Sequence, residues 1–170
     1  MKLLLSFLVL PMLFIESAAQ TNSFGLLKYS IPGNWQEQSK QHVISYSGIE
    51  SETGIPIEIK VYENRPAGVK PDSSFHMEWK RIFSDQGNPA VPYAKKRYNA
   101  EGIQLAVNVA TTAEIIEGNQ KKFTQLAVFI IDKQVQAIQF VAYNATDFKK
   151  LRPYIDDFID GTSAIAKGKE

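Results

Sequence analysis

Apolar and polar residues alternate with a period of two along several stretches of this chain. Ile55, Ile57, Ile59 and Val61 alternate with Pro56, Glu58, Lys60 and Tyr62, and Ile103, Leu105, Val107 and Val109 alternate with Gln104, Ala106, Asn108 and Ala110. Successive side chains of an extended chain point to opposite faces, so both stretches predict half-buried strands. The second pattern runs on through Thr111 to Ile115. Residues 42–49 alternate more loosely, with apolar residues on both faces. Residues 26–31 read as a strand that stops at Pro32, which has no N–H to give to a ladder. Residues 93–98 form a short strand with a basic centre. Residues 123–131 are apolar on both faces, the mark of a central strand covered on two sides, and residues 135–143 pair back on them with β-branched and aromatic side chains.

Polar and glycine-containing breaks separate these runs: Pro32-Gly33-Asn34, Glu50 to Gly54, Ala100-Glu101-Gly102, Glu117-Gly118-Asn119 and Asp132-Lys133. Breaks this short join neighbouring strands as antiparallel hairpins. Two segments repeat their apolar residues at helical spacing instead. Phe75, Trp79, Ile82 and Phe83 form one stripe, after a cap at Asp72 or Ser73 and before a stop at Gly87-Asn88-Pro89. Phe148, Leu151, Ile155, Phe158 and Ile159 form the other, after a cap at Asn144 or Thr146. Pro153 predicts a break there, with a short turn to Leu151 and a second helix that takes Pro153 into its first turn and ends at Gly161. Residues 20–23 and 162–170 read as polar tails. The expected class is α+β: one antiparallel sheet of about six to seven strands flanked by two main helices, in the order β-β-β-α-β-β-β-β-α.

The first nineteen residues follow none of these patterns. Lys2 precedes an apolar run over residues 3–15, and Ser17-Ala18-Ala19 supplies small residues at a cleavage site. This is the tripartite form of a secretory signal peptide cut after Ala19. A run of this length rises only about 20 Å as a helix, short of the roughly 30 Å needed to span a bilayer. The expected organisation is therefore residues 1–19 as an address and residues 20–170 as a single domain, ordered from about 24 to 161. The chain contains no cysteine, so disulfides, thiolate catalysis and Cys-ligated zinc are excluded, and an exported chain without cysteine points to a bacterial periplasm or secretion from a bacterium. Across 170 residues, 19 Lys and Arg face 18 Asp and Glu, a net charge of +1 that removes the electrostatic case for nucleic acid.

Two local patterns carry a resemblance. Tyr29-Ser30-Ile31-Pro32-Gly33-Asn34-Trp35 resembles the opening strand, proline-containing turn and tryptophan of the PsbP-like superfamily. That superfamily includes the PsbP extrinsic subunit of photosystem II, the Mog family of Ran-binding proteins and bacterial envelope proteins such as DcrB. Phe148-Lys149-Lys150-Leu151-Arg152-Pro153, followed by Ile155 and Phe158, is similar to its closing helix. The resemblance covers residues 24–161. It implies an α/β/α sandwich and an accessory or binding role, and no catalytic residue is shared across the superfamily. Gly161-Thr162 stands where many members carry Ser-Phe, and the lipid-anchor cysteine of many bacterial members is missing.

The remaining chemistry is sparse. His42 and His76 are the two imidazoles, one at a strand start and one in the first turn of a helix, and no serine sits in G-x-S-x-G. Glu50 and Glu52 in a turn, and Asp156, Asp157 and Asp160 on a helix, read as solvated charges. No phosphate loop, dinucleotide fingerprint, calcium loop or HExxH occurs, so no catalytic residue, metal site or cofactor is expected. Lys95-Lys96-Arg97 between Tyr93 and Tyr98 is the one basic cluster with aromatic neighbours. It reads either as a contact for an anionic partner or as an edge strand protected by charge. The candidate partner surface is Trp35, Tyr62, Tyr93, Lys95 and Arg97, and the candidate partners are a protein or a lipid-like ligand. The expected function is that of an exported, non-enzymatic binding or accessory protein of the bacterial envelope; the alternative is a hydrolase with an unrecognised carboxylate site.

Overall fold

The structure, a computed structural model, describes residues 19–68, 71–84, 93–98, 104–109, 113–117 and 119–165. The apolar run over residues 3–15, the expected stop at Gly87-Asn88-Pro89, the expected turn at Ala100-Glu101-Gly102 and residues 166–170 lie outside them. The elements are β1 (Ala19–Phe24), β2 (Leu27–Pro32), β3 (Gln36–Lys40), β4 (Val43–Ile49), β5 (Pro56–Tyr62), β6 (Arg65–Pro66), α1 (Pro71–Phe83), β7 (Tyr93–Tyr98), β8 (Gln104–Val109), β9 (Ala113–Glu117), β10 (Gln120–Ile131), β11 (Gln134–Ala142), α2 (Ala145–Gly161) and β12 (Ser163–Ala164). The main sheet runs β3-β4-β5-β11-β10-β8-β7, with β6 added to β11 and β9 to β10. A second sheet runs β1-β2-β12. Every pairing is antiparallel. The α+β class and antiparallel main sheet are those expected; the small second sheet is not.

The β10–β11 hairpin is the centre. Asp132 and Lys133 both take positive φ, 47° and 63°, the left-handed pair that closes a two-residue hairpin and matches the twist of its strands. Alternation along the hairpin builds two cores. Leu126, Val128, Val135 and Ala137 face α1, which lays Phe75, Trp79 and Phe83 over them. Ala127, Phe129, Ile131, Ile138, Phe140 and Ala142 face the other way, against Phe148, Leu151, Ile155, Phe158 and Ile159 of α2. The result is an α/β/α sandwich with each helix's apolar stripe pressed to one face of the sheet.

Several expectations change. Residues 20–23 are not a loose tail, because β1 pairs with β2 along its whole length. Residues 163–164 leave the polar tail to pair with β2 from the other side. The alternation through Ile115 is two strands, since β8 pairs with residues 127–130 of β10 and β9 with residues 120–124. Residues 36–40 form a strand exposed at all five positions; a sheet edge needs no apolar face, so no alternation marks it. Pro153 does not divide the last helix. Lys149, Arg152 and Pro153 are exposed, so the carbonyl that Pro153 cannot serve faces water, while the buried stripe continues unbroken beneath. Asn144 caps this helix, its side chain accepting from the Asp147 N–H at 2.8 Å. Glu50 is not a solvated turn residue but 4% exposed. Its carboxylate accepts from the Glu52 N–H at 2.9 Å, the Thr53 N–H at 2.8 Å and the Thr53 hydroxyl at 2.7 Å.

The small sheet is tied to the large one by shared core packing, by the Tyr29–Tyr46 hydroxyl pair at 3.2 Å and by one amide. Gln136, fully buried, accepts from the Leu26 N–H at 2.7 Å and donates to Phe24 O at 2.8 Å and Tyr62 O at 2.9 Å. Gly25 turns between β1 and β2 at φ 60°, and a Cβ there would lie 2.8 Å from the Gln136 and Asn64 side-chain oxygens. Only glycine satisfies both the dihedral and the space.

Two outcomes follow for stability. Gln136→Leu removes three hydrogen bonds to backbone groups and should lower unfolding free energy by about 2–4 kcal/mol in chemical denaturation. For Glu50, burial alone would raise the pKa, but the hydrogen bonds from Glu52, Thr53 and Ser51 prevail and hold it below the ordinary carboxylate range. A depressed folded pKa gives stability that is complete above about pH 4.3, the unfolded value, and drains away as pH falls through the folded one. Glu50→Gln should therefore cost about 1–3 kcal/mol at pH 7, with the gap to the parent closing in acid.

Candidate functional site

The period of two in β5 sends Ile57, Ile59 and Val61 into the α2-side core and leaves Glu58, Lys60 and Tyr62 on the α1 side. There α1 reaches its end before the sheet does. Lys60, Tyr62, Ile82, Phe83, Ser84, Ile115, Glu117 and Gln139 line an open cleft of 270 Å³. The Tyr62 hydroxyl donates to Gln139 Oε1 at 2.6 Å. Arg81 of α1 holds its guanidinium 5.0 Å from the Tyr62 ring centroid, a cation–π contact, and pairs with Glu78 one turn back. Glu117 accepts from Lys122 Nζ at 2.7 Å and Lys60 Nζ at 3.1 Å, and Lys60 also stands 3.5 Å from Glu58.

Proton affinities in this cleft move away from neutrality. Burial pushes the Tyr62 phenol further above its ordinary value, with Arg81 offsetting part of the effect. The Lys122 hydrogen bond pulls Glu117 below the usual carboxylate range against the effect of burial, and Lys60 adds to the pull. Burial would lower Lys122, but Glu117 outweighs it and raises the ammonium. At pH 7 the cleft thus presents a neutral phenol, a carboxylate and paired ammonium groups. That set offers hydrogen bonds and local charge; a general acid or base needs a group that changes protonation near the working pH.

Of the residues proposed from sequence, Trp35 and Tyr62 do not meet. Trp35 is 8% exposed in the α2-side core. Its ring lies over Gly48, where a Cβ would stand 2.4 Å away, and 6.1 Å from the Tyr154 ring. Tyr62 is on the opposite face of the sheet. Strand β7, with Tyr93, Lys95 and Arg97, is the last on the sheet path, those residues standing opposite Val109, Val107 and Leu105; their side chains lie outside the described part. The histidines are also apart, exposed His42 bonding Glu63 at 2.6 Å and exposed His76 lying edge-on to Phe75. Among the described residues, no group of three or more His, Cys, Asp or Glu gathers to hold a metal. Gln139 and Glu117 were missed from sequence. A glutamine within an otherwise apolar strand was the available signal, since burial of an amide demands a partner.

This sandwich, with its central antiparallel hairpin and one helix on each face, is a PsbP-like fold. The solution structure of cyanobacterial PsbP (CyanoP) from Synechocystis sp. PCC 6803 matches with a TM-score of 0.58 at 8% identity, over 88% of this chain and 94% of that one. A crystal structure of PA94, a Pseudomonas aeruginosa protein of unknown function, matches with a TM-score of 0.47 at 9% identity, over 89% and 99%. No protein-family model matches the chain, and no curated protein does so by sequence.

Tyr62→Phe should cost about 1–2 kcal/mol in chemical denaturation, because it strands the Gln139 carbonyl oxygen, whose residue is 2% exposed. The paired change Tyr62→Phe with Gln139→Leu should recover part of that loss.

Proposed function

We propose that this protein is an exported accessory protein of the bacterial envelope that works by binding, without turning over a substrate. The observation that carries this reading is the electrostatics of the Tyr62 cleft. Its tyrosine and carboxylate are driven away from the pH range where they could trade protons, and Glu117 is neutralised by two lysines. Such an arrangement recognises; a hydrolase would need a carboxyl group raised toward neutrality beside a second one. The PsbP-like fold supports an accessory role in general terms. Export rests on the sequence, with Lys2, the apolar run and Ala19 as its three parts.

Expression of the full chain in a bacterium tests both halves. The envelope fraction should contain a product whose intact mass matches a start at Gln20, and retention in the cytosol with residues 1–19 attached would refute export. The purified product should give no saturable rate on chromogenic esters, phosphomonoesters or glycosides. A saturable rate that disappears in Glu117→Gln would replace the binding reading with the hydrolase.

A further inference from the structure

A second cleft opens on the other face of the sheet, where α2 begins. Phe123 of β10 and Phe148 of α2 form its floor, Ala145 its inner edge, and Glu114, Lys149 and Arg152 its rim, around a volume of 370 Å³. That volume falls within the roughly 300–1,000 Å³ typical of small-molecule sites. Phe148 is 2% exposed and belongs to the α2-side core, so the floor is set by packing and does not depend on a surface side chain. Helical spacing brings Phe148 and Arg152 to one side of α2, four residues apart, with Lys149 adjacent.

The charges on this rim differ from those at Tyr62. Glu114 is engaged by Lys121 at 2.7 Å. Lys149 and Arg152 are exposed, and neither has an ion-pair partner among the described residues. An aromatic floor beneath two uncompensated cations is complementary to a molecule that is apolar along its body and anionic at one end. Arg152 supplies a planar fork that matches a carboxylate with two parallel hydrogen bonds, and Lys149 adds a second positive charge. A third cleft, lined by Arg65, Pro66, Met77, Glu78, Lys80 and Arg81, is larger at 550 Å³. Its apolar members are exposed, with Met77 at 59%, and Arg81 is already held by Glu78 and Tyr62, so it lacks a fixed floor.

We infer that the Phe123–Phe148 cleft binds a single-chain acyl carboxylate, with the chain along the partly exposed Phe123 and over the buried Phe148 beneath it, and the carboxylate held by Arg152 and Lys149. The inference rests on the binding reading above and names a ligand class for it.

Laurate is the probe, titrated into the isotope-labelled protein purified after expression of the full chain. Backbone amide shifts should saturate and cluster at residues 123, 145, 148, 149 and 152. Arg152→Glu and Lys149→Glu change exposed side chains, so their thermal midpoints should stay near that of the parent. Each should weaken laurate by about tenfold or more, the scale of one charge-assisted contact. Dodecanol, with the same chain and no charge, should bind about tenfold more weakly than laurate to the parent and equally to parent and variants. Absence of saturable shifts, shifts centred on the Tyr62 cleft or on Arg65 and Lys80, or equal affinity for laurate and dodecanol would each overturn the inference. Laurate recovered unchanged in those cases leaves the binding reading standing, whereas chemical conversion of laurate would overturn both.

Discussion

A hairpin that is apolar on both sides cannot stand in water with either face bare, and this constraint organises the molecule. Strands β10 and β11 send alternate side chains to opposite faces, and nearly every one between residues 124 and 142 is buried. One amphipathic helix covers each face, and each brings an aromatic cluster. Trp79 and Phe83 pack at 4.4 Å on one side, and Phe140 meets Phe158 edge-on at 5.4 Å on the other. Polar groups within this double core have to find partners inside it. Thr124 donates to Phe140 O, Gln139 accepts from Tyr62, and Gln136 binds three backbone groups. Exceptions among the described residues include Gln125, 1% exposed with neither end of its amide paired, and the buried indole N–H of Trp35.

Because the centre of each face is covered, openings occur where a helix stops short of the sheet's extent. The cleft at Tyr62 lies past the end of α1, and the cleft at Phe148 lies at the start of α2. Their chemistry diverges. At Tyr62 the acids and bases compensate one another, so the surface is polar with its charges paired. At Phe148 the rim is cationic and the floor aromatic. Both depend on the same packing, since Phe83 and Phe148 are core residues as well as lining residues.

The central architecture was readable from the chain because burial leaves a periodic trace. The β5 alternation, the continuous apolarity of residues 123–131, the Asp132-Lys133 turn and both helical stripes each correspond to an element. What escaped the sequence lacks that trace. Strand β3 reads Gln-Glu-Gln-Ser-Lys and is exposed throughout. Strand β1 is polar and held by its hairpin with β2, while the bonds of Gln136 to the β1–β2 turn and the pairing of β12 with β2 join residues more than a hundred positions apart, which no local window contains. Pro153 misled because its local rule assumes that the lost hydrogen bond matters, and on a solvent-facing turn it matters little. The scattered aromatic and basic residues could not be assembled into a surface without knowing that Trp35 and Tyr62 fall on opposite sides of one sheet.

The small sheet places an early and a late segment of the chain on the two flanks of a single strand. Strand β2 holds β1 along one edge and β12 along the other, directly after α2. It works as a clasp: whatever peels β1 away exposes the strand that anchors the end of α2, and whatever frays β12 unseats the partner of β1. Loosening of either flanking strand is therefore felt at the other, and the helix that roofs one side of the central hairpin shares its fastening with β1.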